Sequence, residues 1–154
     1  MTSDDKKKLL SKLQALCARK EYCESDIYRK ALKLADGDAE AASELLSSLV
    51  EDRFVDDLRY ASAFARDKSS LDGWGPVKIR YQLSAKGVRR EVIGEALASI
   101  DEEKADRRMR DILAAKLRTL KEDPELRLKL LKFALTRGYE YDAANAAVND
   151  LLRR

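Results

Sequence analysis

The residue types that most often carry chemistry are sparse in this chain, and histidine is missing altogether from its 154 residues. That removes the commonest general base, the Ser-His and Cys-His pairs and most zinc sites. An enzyme built from this chain would have to work with carboxylates, Lys or Tyr. Asp56-Asp57 looks like a carboxylate pair, but adjacent residues on a helix do not face one another. Helix capping by Asp56, with Asp57 favoured by the helix dipole, is the stronger reading. Cys17 and Cys23 are too few for a disulfide framework, and no Cys/His cluster exists to bind a metal. Cys17 falls on an apolar stripe and is expected to be a buried thiol, whereas Cys23 falls in a connection and is expected to be exposed. Gly73-Trp74-Gly75-Pro76 is no phosphate loop, because the Gly-Lys-Ser/Thr ending and the preceding strand are both absent. No cofactor and no metal are expected.

What the chain offers instead is binding chemistry. Trp74, between two glycines at a helix entry, has two readings: a plug in the seam between helices, or a partner hot spot of the kind Trp favours. Arg59 and Tyr60 either meet a partner or brace a junction, with Arg59 answering a carboxylate. Tyr60 and Phe64, four residues apart, read as core more than as contact. Between Pro76 and Arg90 the chain carries Lys78, Arg80, Lys86, Arg89 and Arg90 with no acidic residue among them. Helical geometry sets Lys78 and Arg80 on opposite flanks of an Ile79/Leu83 stripe, with Lys86 near its end, so the set is a collar and not a single stripe. It is either a solvated helix with favourable C-terminal charge or a surplus meant for an anionic partner.

Charge is also uneven along the chain. Residues 1–51 hold 9 basic and 10 acidic side chains, residues 52–102 hold 9 and 9, and residues 103–154 hold 13 and 9. The surplus therefore sits in the last third, which opens with Arg107, Arg108 and Arg110. Such a region could track phosphates, giving salt-sensitive binding without base readout. A soluble helical surface of mixed charge would look the same.

The elements that must position these residues are helices. At 45% apolar and 38% charged there is material for a core under a densely solvated surface, while six glycines, two prolines and 6% aromatics argue against an all-β fold. Leu9, Leu10, Leu13, Leu16 and Cys17 put one apolar stripe on a helix starting near Asp4. Ser25 or Asp26 could cap a second helix through Ile27, Ala31 and Leu32. Asp36-Gly37-Asp38 then interrupts, and a third helix runs through Ala42, Leu45 and Leu49. Asp56 can cap the next, Gly75-Pro76 opens another, and Gly87 with Val88 ends it. The last third repeats the plan, with Pro124 as a start and Gly138-Tyr139 as a stop. The fold is predicted to be all-α. No apolar leader occupies Met1 to Lys12 and no run is long enough to span a membrane, so a cytoplasmic location is expected.

Sliding the chain on itself by about 51 residues superimposes Leu32, Leu83 and Ala134, then Leu46, Leu97 and Val148, and brings Gly87 onto Gly138. Asp36 takes the glycine's place in the first unit. This predicts three tandem three-helix repeats, at 1–52, 53–102 and 103–154. Units so small would stack to share apolar faces, giving an elongated, curved array suited to an extended partner.

The middle repeat carries the most specific text: Phe54-Val55-Asp56-Asp57, Arg59-Tyr60-Ala61, Phe64, Arg66-Asp67-Lys68, Gly73-Trp74-Gly75-Pro76, Lys78-Ile79, Leu83, Lys86-Gly87-Val88, Ile93 and Ala96-Leu97. This pattern resembles the RecX family of regulatory proteins, which modulate the RecA recombinase. The resemblance is close over about residues 50 to 100 and looser in the flanking units. It implies a non-enzymatic protein, expected as a monomer, that lodges in the groove of the RecA–DNA filament. Inhibition of ATP hydrolysis, filament growth and strand exchange is the expected effect. On this reading Asp57, Arg59, Tyr60, Trp74, Lys78 and Lys86 are the candidate partner-binding residues. Arg80, Arg89, Arg90, Arg107, Arg108 and Arg110 are the candidates for phosphate contact. A helical DNA-binding module acting without RecA is the alternative, opposed by the dispersal of the basic residues. A carboxylate- or lysine-based enzyme ranks last.

Overall fold

A computed structural model describes residues 1–153, and nine α-helices account for the regular structure among the described residues. In chain order they are α1 (Ser3–Arg19), α2 (Glu24–Leu34), α3 (Ala39–Glu51), α4 (Asp57–Ser70), α5 (Pro76–Ala85), α6 (Arg90–Ala98), α7 (Glu102–Leu120), α8 (Leu126–Thr136) and α9 (Tyr141–Leu152). None of them is long and apolar enough to cross a membrane.

Local chemistry explains most of the starts. Thr2 and Asp5 form a reciprocal capping box at α1, each side chain accepting from the other's backbone N–H at 3.1 and 3.2 Å. Asp38 accepts from Ala41 at 3.0 Å, Asp56 from Arg59 at 3.0 Å and Asp101 from Lys104 at 3.1 Å, capping α3, α4 and α7. Pro76 takes the first position of α5, where its missing N–H costs nothing.

Two starts depart from expectation: α8 begins at Leu126, with Glu125 and not Pro124 at its entry, and α2 begins ahead of its expected caps. Neither Ser25 nor Asp26 caps α2; the helix begins at Glu24, with Cys23 at the cap position and no side-chain bond there. Ser25 instead donates its hydroxyl to the Lys86 carbonyl at 2.5 Å, and Asp26 faces the Lys86 ammonium. Cys23 is also not the exposed thiol its loop position suggested. It is fully buried, and burial pushes both its thiol and that of Cys17 up.

Three stops, those of α2, α5 and α8, follow one pattern. Asp36, Gly87 and Gly138 have φ of 53°, 77° and 93°, and they are evenly spaced along the chain. The N–H that follows each one returns to the last turn: Gly37 to Leu32 at 2.9 Å, Val88 to Leu83 at 3.1 Å, and Tyr139 to Ala134 at 3.2 Å. A left-handed residue at this point reverses the chain while satisfying carbonyls that the helix leaves open. Asp is among the few non-glycine residues that tolerate it.

Packing divides the chain into two compact units. The first comprises Met1–Ser62 with Leu83–Ile93, and the second comprises Ala63–Gln82 with Gly94–Arg154. In the first, α1, α2 and α3 pack on one another around Leu13, Ile27, Ala42, Leu49 and Val55. In the second, α7, α8 and α9 do so around Met109, Leu113, Leu130, Ala134, Tyr139 and Val148. Sealing a Leu or Ile from water stabilises by about 1.5–3 kcal/mol, so these few side chains dominate each unit. The helices of the middle third contribute to both units; Ala61, Ala65, Ile79, Leu83 and Ile93 are all essentially closed to solvent.

Candidate functional site

Helix α2 lacks a cap of its own, and the first turn of α4 supplies one. The Asp57 carboxylate accepts from the Glu24 N–H at 2.8 Å. Lys86 reaches the same helix, with its ammonium 3.0 Å from the Asp26 carboxylate. Burial works against charge on Asp26, yet hydrogen bonding from Lys86 holds its carboxyl below the usual range. Glu24 goes the other way: burial, then the Asp57 charge beside it, raise its carboxyl. Asp57 and Lys86, both candidates for partner contact, thus clamp the start of α2. Asp57→Ala is expected to cost about 1 kcal/mol, the ordinary value of a lost cap. A thermal melt checks this, and an unchanged melting temperature would show the cap contributes nothing.

Arg59 is similarly engaged. Its Nε donates to Glu21 at 2.6 Å, and its Nη2 to the carbonyls of Arg53 at 3.1 Å and Phe54 at 3.3 Å. Those carbonyls belong to the turn after α3, where Arg53 stands at a φ of 61°. Arg59 therefore braces a left-handed turn, and Glu21 raises its guanidinium further. The ion pair is largely exposed, so its own contribution stays under about 1 kcal/mol.

Tyr60 is half-buried, and its phenol is pushed up to about 12, by burial first and by Cys23, Asp26 and Asp57 after it. A phenol whose folded value lies above its ordinary 10.0 favours the folded state until pH rises through that window. Melts of the wild type are accordingly expected to fall as pH climbs from 10.0 towards about 12, and Tyr60→Phe to flatten that fall. Identical alkaline profiles for the two proteins would refute it.

In the second unit, the Gly73-Trp74-Gly75 segment is held by the turn that ends α8. The Gly75 N–H donates to the Arg137 carbonyl at 2.8 Å and the Val77 N–H to the Gly138 carbonyl at 2.9 Å. The buried Tyr139 hydroxyl donates to the Gly73 carbonyl at 2.8 Å, and the Arg137 guanidinium donates to the carbonyls of Asp72 and Gly73. Trp74 sits half-exposed in this frame. The Phe64 ring meets it edge-on at 6.1 Å and 73°, and the ammonium groups of Lys68 and Lys78 lie 4.8 and 4.4 Å from its centroid. Trp74 lines a cleft of about 390 Å³ together with Ile79, Leu97, Ile100 and Met109. Trp74 thus has both a packed side and an open one.

The candidate arginines separate cleanly. Arg108 donates to the carbonyls of Ser70 and Leu71 at 3.0 and 3.1 Å, closing the end of α4. Arg110 pairs with Asp106 at 2.9 Å and Asp150 at 2.7 Å. By contrast Arg80, Arg89, Arg90 and Arg107 are exposed and form no ion pair among the described residues. Sequence reasoning missed Arg137, Tyr139 and Lys68 as supports of the Trp74 segment. Gly138-Tyr139 was visible as a helix stop, but nothing in the text named the loop it would hold.

Residues 56–97 match the family model described as RecX, second three-helix domain. The Regulatory protein RecX of Chromohalobacter salexigens is 32% identical over 135 residues, covering 86% of this chain and 86% of that protein. The chain belongs to the RecX family. A Regulatory protein RecX from Clostridium botulinum is 35% identical over 128 residues, or 80% of this chain, and the chain spans 59% of that relative's length. A crystal structure of a regulatory protein RecX superposes with a TM-score of 0.85 at 25% identity, over 96% of this chain and 73% of that one. The all-α helical-repeat fold is thus that of solved RecX proteins. The span matched as the second RecX domain contains Asp57, Arg59, Tyr60, Trp74, Lys78, Arg80, Lys86, Arg89 and Arg90; Arg107, Arg108 and Arg110 lie beyond it.

Proposed function

We propose that this chain binds the RecA recombinase–DNA filament and restrains it, lowering ATP hydrolysis, filament growth and strand exchange in homologous recombination and DNA repair. The observation that carries this reading is the similarity, over 86% of both chains, to a protein named Regulatory protein RecX. The side-chain partners support a division of labour. Asp57, Arg59 and Lys86 position α2 and α4, while Arg80, Arg89, Arg90 and Arg107 remain free to meet phosphates. Trp74 and Lys78 supply an aromatic and a cation on an open face beside them in sequence. The action we infer is occupancy: a monomer of three repeats (1–52, 53–102 and 103–154) lies along the filament, links neighbouring subunits and obstructs either their cycling or a second DNA strand. Single-strand-dependent RecA ATPase, with and without this protein, tests it alongside co-sedimentation with filaments. Unchanged hydrolysis at saturating protein together with no co-sedimentation would sink the idea. The free arginines also suit a DNA-binding module that acts alone. Tight, sequence-selective shifts of duplex DNA without RecA would favour that second reading.

A further inference from the structure

We propose that the apolar cleft beside Trp74 is a docking site for an amphipathic helical segment of a partner protein that carries lysine or arginine beside its apolar stripe. Trp74, Pro76, Ile79, Leu97, Ile100 and Met109 make the apolar lining, within a space of about 390 Å³. A cavity of about 150 Å³ holds a benzene ring, so this one accepts two apolar side chains. Two side chains at i and i+4 are what a helix lays into a groove.

The charge around the cleft selects the flank. Its charged lining residues are Glu102, Asp106 and Glu140, with no lysine or arginine among them. Asp106 is answered by Arg110 at 2.9 Å, whereas Glu102 and Glu140 are exposed and have no ion pair among the described residues. Glu102 lies in the first turn of α7 and Glu140 caps α9 by position, where the helix dipole favours a carboxylate. That preference does not cancel the charge, since a helix end carries about half a positive unit against a full negative one. The charged residues that line the cleft are therefore all acidic in a chain that is net basic, and a basic flank seated against them gains where an acidic one is repelled. Lys68 and Lys78, over the Trp74 ring, are not among the lining residues.

Trp74 is the single tryptophan of the chain, so its emission reports on the cleft. The test titrates the full chain with two Trp-free peptides of about 15 residues, long enough to sample helix. Both carry the same Leu and Phe at i and i+4, one flanked by Lys and Arg and the other by Glu. The basic peptide is expected to change Trp74 emission saturably and to bind about tenfold or more tighter than the acidic one. Ala143→Phe, at an exposed lining position, is expected to abolish binding, while Ala146→Phe, exposed on the same helix but not lining the cleft, leaves it intact. Glu102→Lys combined with Glu140→Lys should invert the preference, which decides the matter even if Ala143→Phe fails to fold. Absence of a saturable change, equal affinity for both peptides, or unaltered selectivity in the double variant would overturn the proposal.

Discussion

Gly75→Ala is expected to destabilise the protein by about 3 kcal/mol or more, the upper end of overpacking costs. A Cβ on Gly75 would lie far inside contact distance of the Gly138 carbonyl and the Tyr139 nitrogen, both backbone groups. A side chain could rotate away from such a clash, but this backbone is tied in place. Gly75 and Val77 donate to Arg137 and Gly138 at 2.8 and 2.9 Å, so separating the segments also sacrifices two hydrogen bonds. Each of those is worth about 1 kcal/mol net. For a domain of this size the loss corresponds to a fall in Tm of roughly 6–12 °C. Gly94→Ala is the matched control, because a Cβ there meets nothing within 4 Å and the residue lies inside α6. That change is expected to stabilise by about 0.5–1 kcal/mol through helix propensity. Paired melts decide the point: if Gly75→Ala melts with the wild type, the close approach of the two backbones is not a constraint. Emission from Trp74, one residue away, should shift in the same variant.

The second large effect concerns binding and rests on the proposed filament reading. Replacing Arg80, Arg89, Arg90 and Arg107 by Ala is expected to leave folding intact, since these exposed side chains make no ion pair among the described residues. Loss of such phosphate contacts should weaken filament binding by about 10–100-fold at moderate salt and reduce the salt slope by about one per contact removed. The opposite pattern is expected for Arg59→Ala with Arg108→Ala. Those guanidiniums hold the carbonyls of Arg53, Phe54, Ser70 and Leu71, so their removal lowers Tm and leaves the salt slope nearly unchanged. Affinity measured across a salt series separates the two sets. Equal slopes for wild type and the fourfold variant would show that these arginines do not meet phosphate.

Much of this molecule is legible in its text, and the legible part is local. Helix starts at Asp38, Asp56 and Asp101 need only a short polar side chain within three residues of an open N–H. Stops at Gly87 and Gly138 need only a residue that tolerates positive φ. The apolar stripe that buries Leu13 and Cys17 is a matter of spacing, and the motifs between Asp56 and Leu97 are enough to suggest the RecX family, whose second domain matches that span.

Pairing across the chain is another matter. Asp57 reaches Glu24 over 33 positions, Arg59 reaches Glu21 over 38, Lys86 reaches Asp26 over 60, and Tyr139 reaches Gly73 over 66. Composition and periodicity left Asp57, Arg59 and Lys86 open to a partner or to the fold, and marked Tyr139 only as part of a helix stop. Cys23 shows the same gap: its place between two helices suggested exposure, but burial is set by what packs over a residue and not by the element it belongs to. Local bonds depend on neighbours a few residues away, which the sequence states outright. Long-range bonds exist only once the helices have packed, and packing alone decided which arginines are engaged within the protein and which are exposed with no ion pair among the described residues.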